Sequence, residues 1–295
     1  MMCNAAFATT VAFGSLEHHP QFESRYVAAR DVQVWLPPNY SEDGRYAVVY
    51  MHDGQMLFDA TTTWNKQEWM VDEVAAELQR TGKTMPFIVV GIFNGGDNLR
   101  YIEYLPNKPY QRLTHREKAQ QFAPLTEAPP ADLENIIRSD SYLRFIVEEL
   151  KPFIDAKYAV HTDKQHTFVM GSSMGGLISW YALSEYPEVF GGAACISTHW
   201  VGGSANQTNP VTEQFMLYMQ NDFPAPGSHK IYFDYGDQTL DAFYPPLQAK
   251  VDQIMRDRGF DEQNWLTLFD KGADHSENAW QKRLDRPLLF LLGVD

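Results

Sequence analysis

Three stretches of this chain, residues 46–51, 87–93 and 191–196, are apolar almost without interruption, and turn chemistry bounds each of them. A strand with one wet face alternates apolar and polar residues. Runs without alternation therefore predict strands covered on both faces, as in a parallel sheet between helix layers. A fourth run, residues 31–36, does alternate, with Val32, Val34 and Leu36 on one side and Gln33 and Trp35 on the other, until Pro37-Pro38-Asn39 ends it. That pattern predicts a half-buried strand near a sheet edge.

Helical periods fill the spaces between these runs. Asn65 and Glu68 have the spacing of a capping box, and Val71, Val74, Ala75 and Leu78 follow at helical spacing up to Gly82. Leu143, Ile146, Val147, Leu150 and Ile154 form a second apolar stripe, which Pro152 must bend or split. A third runs from Leu247 through Val251, Ile254 and Met255 to Gly259, and a fourth follows His275. Strands alternating with helices predict an α/β chain with a mostly parallel, doubly wound sheet and helices on both faces. Residues 107–138 break the rhythm and read as an irregular insertion over one end of the sheet, either a surface excursion or a cap over a site. No linker or repeat divides the chain, so one domain over residues 1–295 is expected.

Composition narrows the function classes. The 295 residues are 44% apolar, enough for a full core without disulfides or metals. A formal net charge of −14 offers no footprint for a nucleic-acid backbone or an anionic membrane. The two cysteines, Cys3 and Cys195, are far apart and have neither disulfide-framework nor zinc-ligand spacing. No apolar stretch reaches membrane-spanning length and the first residues lack a basic leader region, so the chain as written is expected in the cytoplasm. Export stays open if the true start lies upstream.

The chemistry centres on Gly171-Ser172-Ser173-Met174-Gly175-Gly176, which follows a short apolar run at 167–170 and precedes a helical one at 177–186. A G-x-S-x-G between strand and helix is a turn so tight that its neighbours must be small, and it pushes the central hydroxyl out beyond the sheet. Ser173 is the candidate nucleophile. A serine hydroxyl needs a histidine base and a carboxylate to orient that base, here in the chain order Ser, Asp, His. His275 is the candidate base, since it lies in the loop between the run 265–269 and the last helix. Ser276 is the better cap for that helix by residue type. Two aspartates compete for the acid, Asp237 and Asp241. Asp241 is favoured, because it lies just before a helix expected to begin near Tyr244, whereas Asp237 is placed to tie down the turn after Gly236.

Two backbone N–H groups are candidates for an oxyanion hole, those of Met174 after the serine and of Gln55 after Gly54. His199 and Trp200, beyond the next strand, are candidates to line the substrate pocket. His52 is expected to make a structural hydrogen bond, and His18, His19, His115, His161, His166 and His229 lie in polar or irregular surroundings without an assigned role.

Taken with Tyr50-Met-His-Asp-Gly-Gln-Met-Leu-Phe-Asp59, Tyr186-Pro-Glu-Val-Phe190 and Gly272-Ala-Asp-His-Ser-Glu-Asn-Ala-Trp280, the serine motif resembles the putative-esterase family of α/β hydrolases. That family includes esterase D, feruloyl and acetylxylan esterases, siderophore esterases and mycolyltransferases. The resemblance covers the chain from about residue 30 onward. It implies an α/β-hydrolase fold, a cofactor-free serine carboxylesterase with Ser173, His275, Gln55 and Met174 in the roles given, and a small-molecule or carbohydrate ester as substrate. It also makes Asp53 a candidate for holding the alcohol part. Many relatives carry the acid three residues after the glycine, where this chain has Thr239. An acyltransferase using the same triad, and a non-catalytic binding module on the same fold, are the alternatives.

Overall fold

In the computed structural model, which describes residues 9–123, 130–205, 209–227 and 229–294, eight strands form one sheet. They are β1 (Ser15–Phe22), β2 (Arg30–Leu36), β3 (Ala47–His52), β4 (Phe87–Ile92), β5 (Thr167–Ser172), β6 (Gly192–Ile196), β7 (Lys230–Tyr235) and β8 (Trp265–Phe269), in the spatial order β1-β2-β4-β3-β5-β6-β7-β8. The β1/β2 and β2/β4 pairs are antiparallel, and every later pair is parallel. The unbroken apolar runs have the predicted cause. Val48 and Tyr50 of β3 face one core cluster while Ala47, Val49 and Met51 face the other, so both faces of the strand are dry.

Eleven α-helices are described around this sheet: α1 (Val71–Arg80), α2 (Asp97–Tyr104), α3 (Asn107–Gln111), α4 (His115–Phe122), α5 (Ser139–Arg144), α6 (Lys151–Lys157), α7 (Met174–Glu185), α8 (Pro210–Asp222), α9 (Pro245–Asp257), α10 (Glu277–Trp280) and α11 (Asp285–Leu292). The helix α7 is buried from Met174 to Ser184, as its apolar composition on every side requires. This is the α/β-hydrolase arrangement, with the carboxyl ends of six parallel strands opening on one edge.

Several expectations change. The strand β2 is almost wholly buried, because β1 pairs outside it and takes the edge. His18 and His19 therefore sit in a strand, not in irregular chain. Asn65 forms no capping box. It bonds Glu277 at 2.8 Å, and α1 starts only after Met70 turns through φ 53°. Around Pro152 the helix is not cut: between α5 and α6, residues Phe145–Leu150 widen into a π-helix, and Pro152 falls in the first turn of α6, where a proline is tolerated. Residues 107–138, read as irregular, contain α3 and α4 and put Tyr110, Leu113, Phe122, Leu133 and Ile137 into the core. Cys3 lies outside the described residues, and Cys195 is a buried free thiol.

Candidate active site

Four of the seven described non-glycine residues with positive φ lie at or close beyond strand ends on this one edge: Asp53 (56°), Ser173 (58°), Ser197 (42°) and Thr239 (53°). Side chains disfavour this region, so its concentration here marks backbone held under strain by its surroundings, as functional sites often are. Ser173 joins β5 to α7 with ψ −121°, and its N–H is tied to the Ile196 carbonyl at 2.9 Å. A Cβ on Gly171 would come within 2.8 Å of the Gly175 backbone, which is why the turn needs glycine. Met174 opens α7, where backbone N–H groups have no intrahelical partner. Gln55 lies in the 3-10 turn Gly54–Met56 after β3. That loop lies against the start of α7, since a Cβ on Gly175 would sit 3.4 Å from both the Asp53 carboxylate and the His52 Cβ.

The loops after β7 and β8 cross. A Cβ on Gly236 would strike the Ala273 carbonyl at 2.1 Å, and that carbonyl accepts from the N–H groups of Asp237 and Gln238. This close approach brings Asp241 to His275, with Asp241 Oδ1 2.6 Å from His275 Nδ1. The other oxygen, Oδ2, accepts from Ser197 Oγ at 2.6 Å and from the Gly236 N–H at 2.7 Å. Burial alone would raise the Asp241 pKa, but His275, Ser197 and Gly236 together hold it below the usual carboxylate range. Asp241 is fully buried, whereas the His275 side chain keeps 13% of its surface, so the ring is the member of the pair open to a substrate. Trp280 and Tyr244 flank the imidazole edge-on, at 5.0 and 5.8 Å between ring centres. The His275 N–H bonds Thr239 Oγ1 at 2.9 Å, and Ser276 caps α10. Asp237 Oδ1 accepts from the Gly272 N–H at 2.8 Å, tying the loop rather than the imidazole.

Other candidates fall in different places. The two oxygens of Asp53 pair with Arg100 at 2.7 and 2.8 Å, and Asn94 donates to one of them at 2.7 Å. Burial would raise its pKa, but the guanidinium and Asn94 keep it low. Trp200 does not line a pocket. Its indole is 1% exposed, packs edge-on against Trp180 and donates to Gln248, because the chain after β6 turns it into the core. His199 is buried, bonds Tyr244 and Gly203, and has its pKa pushed down to about 3, chiefly by burial. His52 bonds Tyr142 at 2.8 Å, the structural role expected.

The supporting residues Ser197, Arg100, Asn94 and Tyr244, and Arg283, which donates to Ser197 Oγ and to buried Asp234 at 3.0 Å each, have no motif of their own and escape sequence reasoning. Only position could have flagged Ser197, one residue beyond β6, and Tyr244, three beyond Asp241. Among the described residues one cluster could hold a metal, His161, Asp163 and His166, with ligand atoms within 4.8 Å of one another. Its two imidazoles stack at 4.0 Å with planes 20° apart, so their in-plane lone pairs do not converge. It also lies at the opposite end of the sheet, beside the start of β3.

A family model described as Putative esterase matches residues 27–291. The chain belongs to that family. It is accordingly a carboxylesterase-type hydrolase, and its general reaction is ester hydrolysis. The uncharacterized protein YbbA of Bacillus subtilis is 25% identical over 95% of this chain and 97% of its own length. The ferri-bacillibactin esterase BesA of the same organism is 28% identical over 52% of this chain and 49% of its own. Among solved structures, a ferulic acid esterase superposes with TM-score 0.64 at 18% identity, covering 94% of this chain and 98% of that one. The enterobactin esterase FES from Shigella flexneri reaches 0.65 at 16%, covering 96% and 60%. At these identities the structural likeness establishes the α/β-hydrolase fold. Among the described residues no helix is long and apolar enough to cross a membrane.

Proposed function

We propose that Ser173, His275 and Asp241 form a triad that cleaves carboxylic esters through an acyl-Ser173 intermediate. The observation that carries this reading is the 2.6 Å contact between His275 Nδ1 and buried Asp241, on the strand edge where Ser173 is held under strain. Ionised Asp241 can only accept, so the Nδ1 proton stays on the ring and Nε2 is left as the base. Nε2 takes the Ser173 proton as Oγ attacks the ester carbonyl, and returns it to the leaving alcohol. The N–H groups of Gln55 and Met174 receive the oxyanion, and no cofactor enters the scheme.

The proposed substrates are acylated carbohydrates or other polar esters, whose alcohol portion would meet the charged Asp53–Arg100 pair. His199 reaches them only through Tyr244. An acyltransferase using the same triad is the second reading, and product analysis with competing alcohols separates the two.

Ser173→Ala and His275→Ala should each abolish nearly all p-nitrophenyl ester turnover, with the double variant little worse, because the groups act as a unit. A fluorophosphonate should label the wild type and not Ser173→Ala. Substantial turnover by folded Ser173→Ala would refute the acyl-serine route, and failure of the probe to label folded wild type would favour a binding module. Aryl esters from acetate to octanoate, alongside acetylated and feruloylated sugars, would define the substrate.

A further inference from the structure

Tyr244 is fully buried at the start of α9, with its hydroxyl 3.0 Å from His199 Nδ1 and reaching the Ser173 side chain. On its far side, His199 Nε2 lies 3.1 Å from the Gly203 carbonyl. A carbonyl only accepts, so Nε2 carries a proton. The buried ring is neutral, so Nδ1 has a bare lone pair. The Tyr244 O–H must therefore donate to Nδ1, and its oxygen faces Ser173 purely as an acceptor.

In the free enzyme the Ser173 hydroxyl lies in reach of that acceptor, and its single proton passes to His275 Nε2 as Oγ attacks. Once Ser173 is acylated its proton is gone, and a buried oxygen is left needing a donor. A water poised for attack carries two protons, one for His275 Nε2 and one for Tyr244. An alcohol carries only one and cannot serve both.

We propose that Tyr244, locked as an acceptor by His199, positions the water that cleaves acyl-Ser173 and so favours hydrolysis over transfer to alcohols. The proposal rests on the acyl-serine reading above. In the step itself, water oxygen bonds to the acyl carbon, one water proton passes to His275 Nε2, and the carbonyl π pair moves onto oxygen. The tetrahedral intermediate then collapses, expelling Ser173 Oγ, which takes that proton back. The second water proton stays on the product acid, having served only as the handle held by Tyr244. Tyr244 and His199 are thus positioning residues and exchange no proton with substrate.

The test is acyl partitioning with p-nitrophenyl acetate in a methanol series, reading the p-nitrophenol burst for acylation and the ratio of methyl acetate to acetate for the fate of the acyl-enzyme. Tyr244→Phe removes the acceptor. It should slow hydrolysis of the acyl-enzyme by about tenfold, as one hydrogen bond implies, and raise the methyl acetate ratio several-fold, a ratio that depends only on steps after acylation. His199→Leu, which frees the phenol to turn its proton toward the site, should shift the ratio the same way and serves if Tyr244→Phe fails to fold. An unchanged ratio in a folded variant, or a change confined to the burst, would overturn the proposal. A wild type without a burst and a Ser173→Ala variant that still turns over would instead mark failure of the acyl-serine reading.

Discussion

At Asp241 both oxygens face groups whose direction is set. The Gly236 N–H can only donate to Oδ2, and Oδ1 meets the imidazole. An asparagine there would keep its carbonyl toward Gly236 and turn its NH2 toward His275. That forces the Nδ1 lone pair inward and the proton onto Nε2, leaving no base. Asp241→Asn is therefore expected to fold and to lose kcat by on the order of a thousandfold or more, with a smaller effect on KM. Asp237→Asn should keep most activity, since that exposed carboxylate holds only the Gly272 N–H and Gln238. Steady-state kinetics on the two variants checks the assignment, and the reverse ranking would move the role to Asp237.

At the scale of elements, the segment 107–138 carries the clearest prediction. Its uneven composition reads as an irregular insertion, either a surface excursion or a cap over a site, and such a wall over one end of the sheet could be shortened without loss of stability. Its helices α3 and α4 instead pack against α8, and the Arg138 N–H bonds the Ile102 carbonyl at 2.7 Å, tying the far end of the segment back to α2. Phe122, 3% exposed at the end of α4, sits edge-on to Tyr101 and Tyr110. Phe122→Ala should lower the unfolding free energy by about 3–5 kcal/mol, and excision of residues 107–138 should unfold the protein. Urea melts decide this, and a loss under about 1 kcal/mol would restore the wall reading.

For the whole molecule, acid stability follows from two buried imidazoles. Burial pushes the pKa of His52 and His199 down to about 3, and His52 Nε2 has no partner among the described residues to receive a proton. Between an unfolded value near 6.5 and the folded value near 3, the unfolded chain binds more protons. Stability is therefore full above about pH 6.5 and falls as the pH drops toward 3, by about 1.4 kcal/mol per unit for each ring. The carboxylates Asp53 and Asp241 have lowered folded values, so their contribution is lost only below the ordinary carboxylate range, whereas Glu73, raised to about 7 by burial and by Asp72, gains stability as the pH falls from 6.5 to 5 and offsets part of the histidine loss. Urea unfolding at pH 5 against pH 6.5 should carry a contribution on the order of 2 kcal/mol of loss from each histidine, with the total reduced by the opposing Glu73. His52→Asn should remove its share, and an unchanged slope in that variant would count against the assignment.

The order of strands β2 to β8 along the chain, the helical periods of α1, α7 and α9, and the loops that carry Ser173, His275 and Asp241 were legible in sequence. They depend on contacts within about ten residues, where steric rules for turns and the periods of helix and strand apply directly. The edge strand β1 was not legible, since a strand exposed on much of its surface carries no apolar run, and its presence is what buries β2. The choice between Asp241 and Asp237 was only leaned upon, because it turns on how the loops after β7 and β8 cross at Gly236. Trp200 turned inward, Arg100 clamped Asp53, and Tyr244 met His199 across loops from different strands. Such pairings join residues that only tertiary packing brings together, and no local pattern records which side chains will fill the same volume.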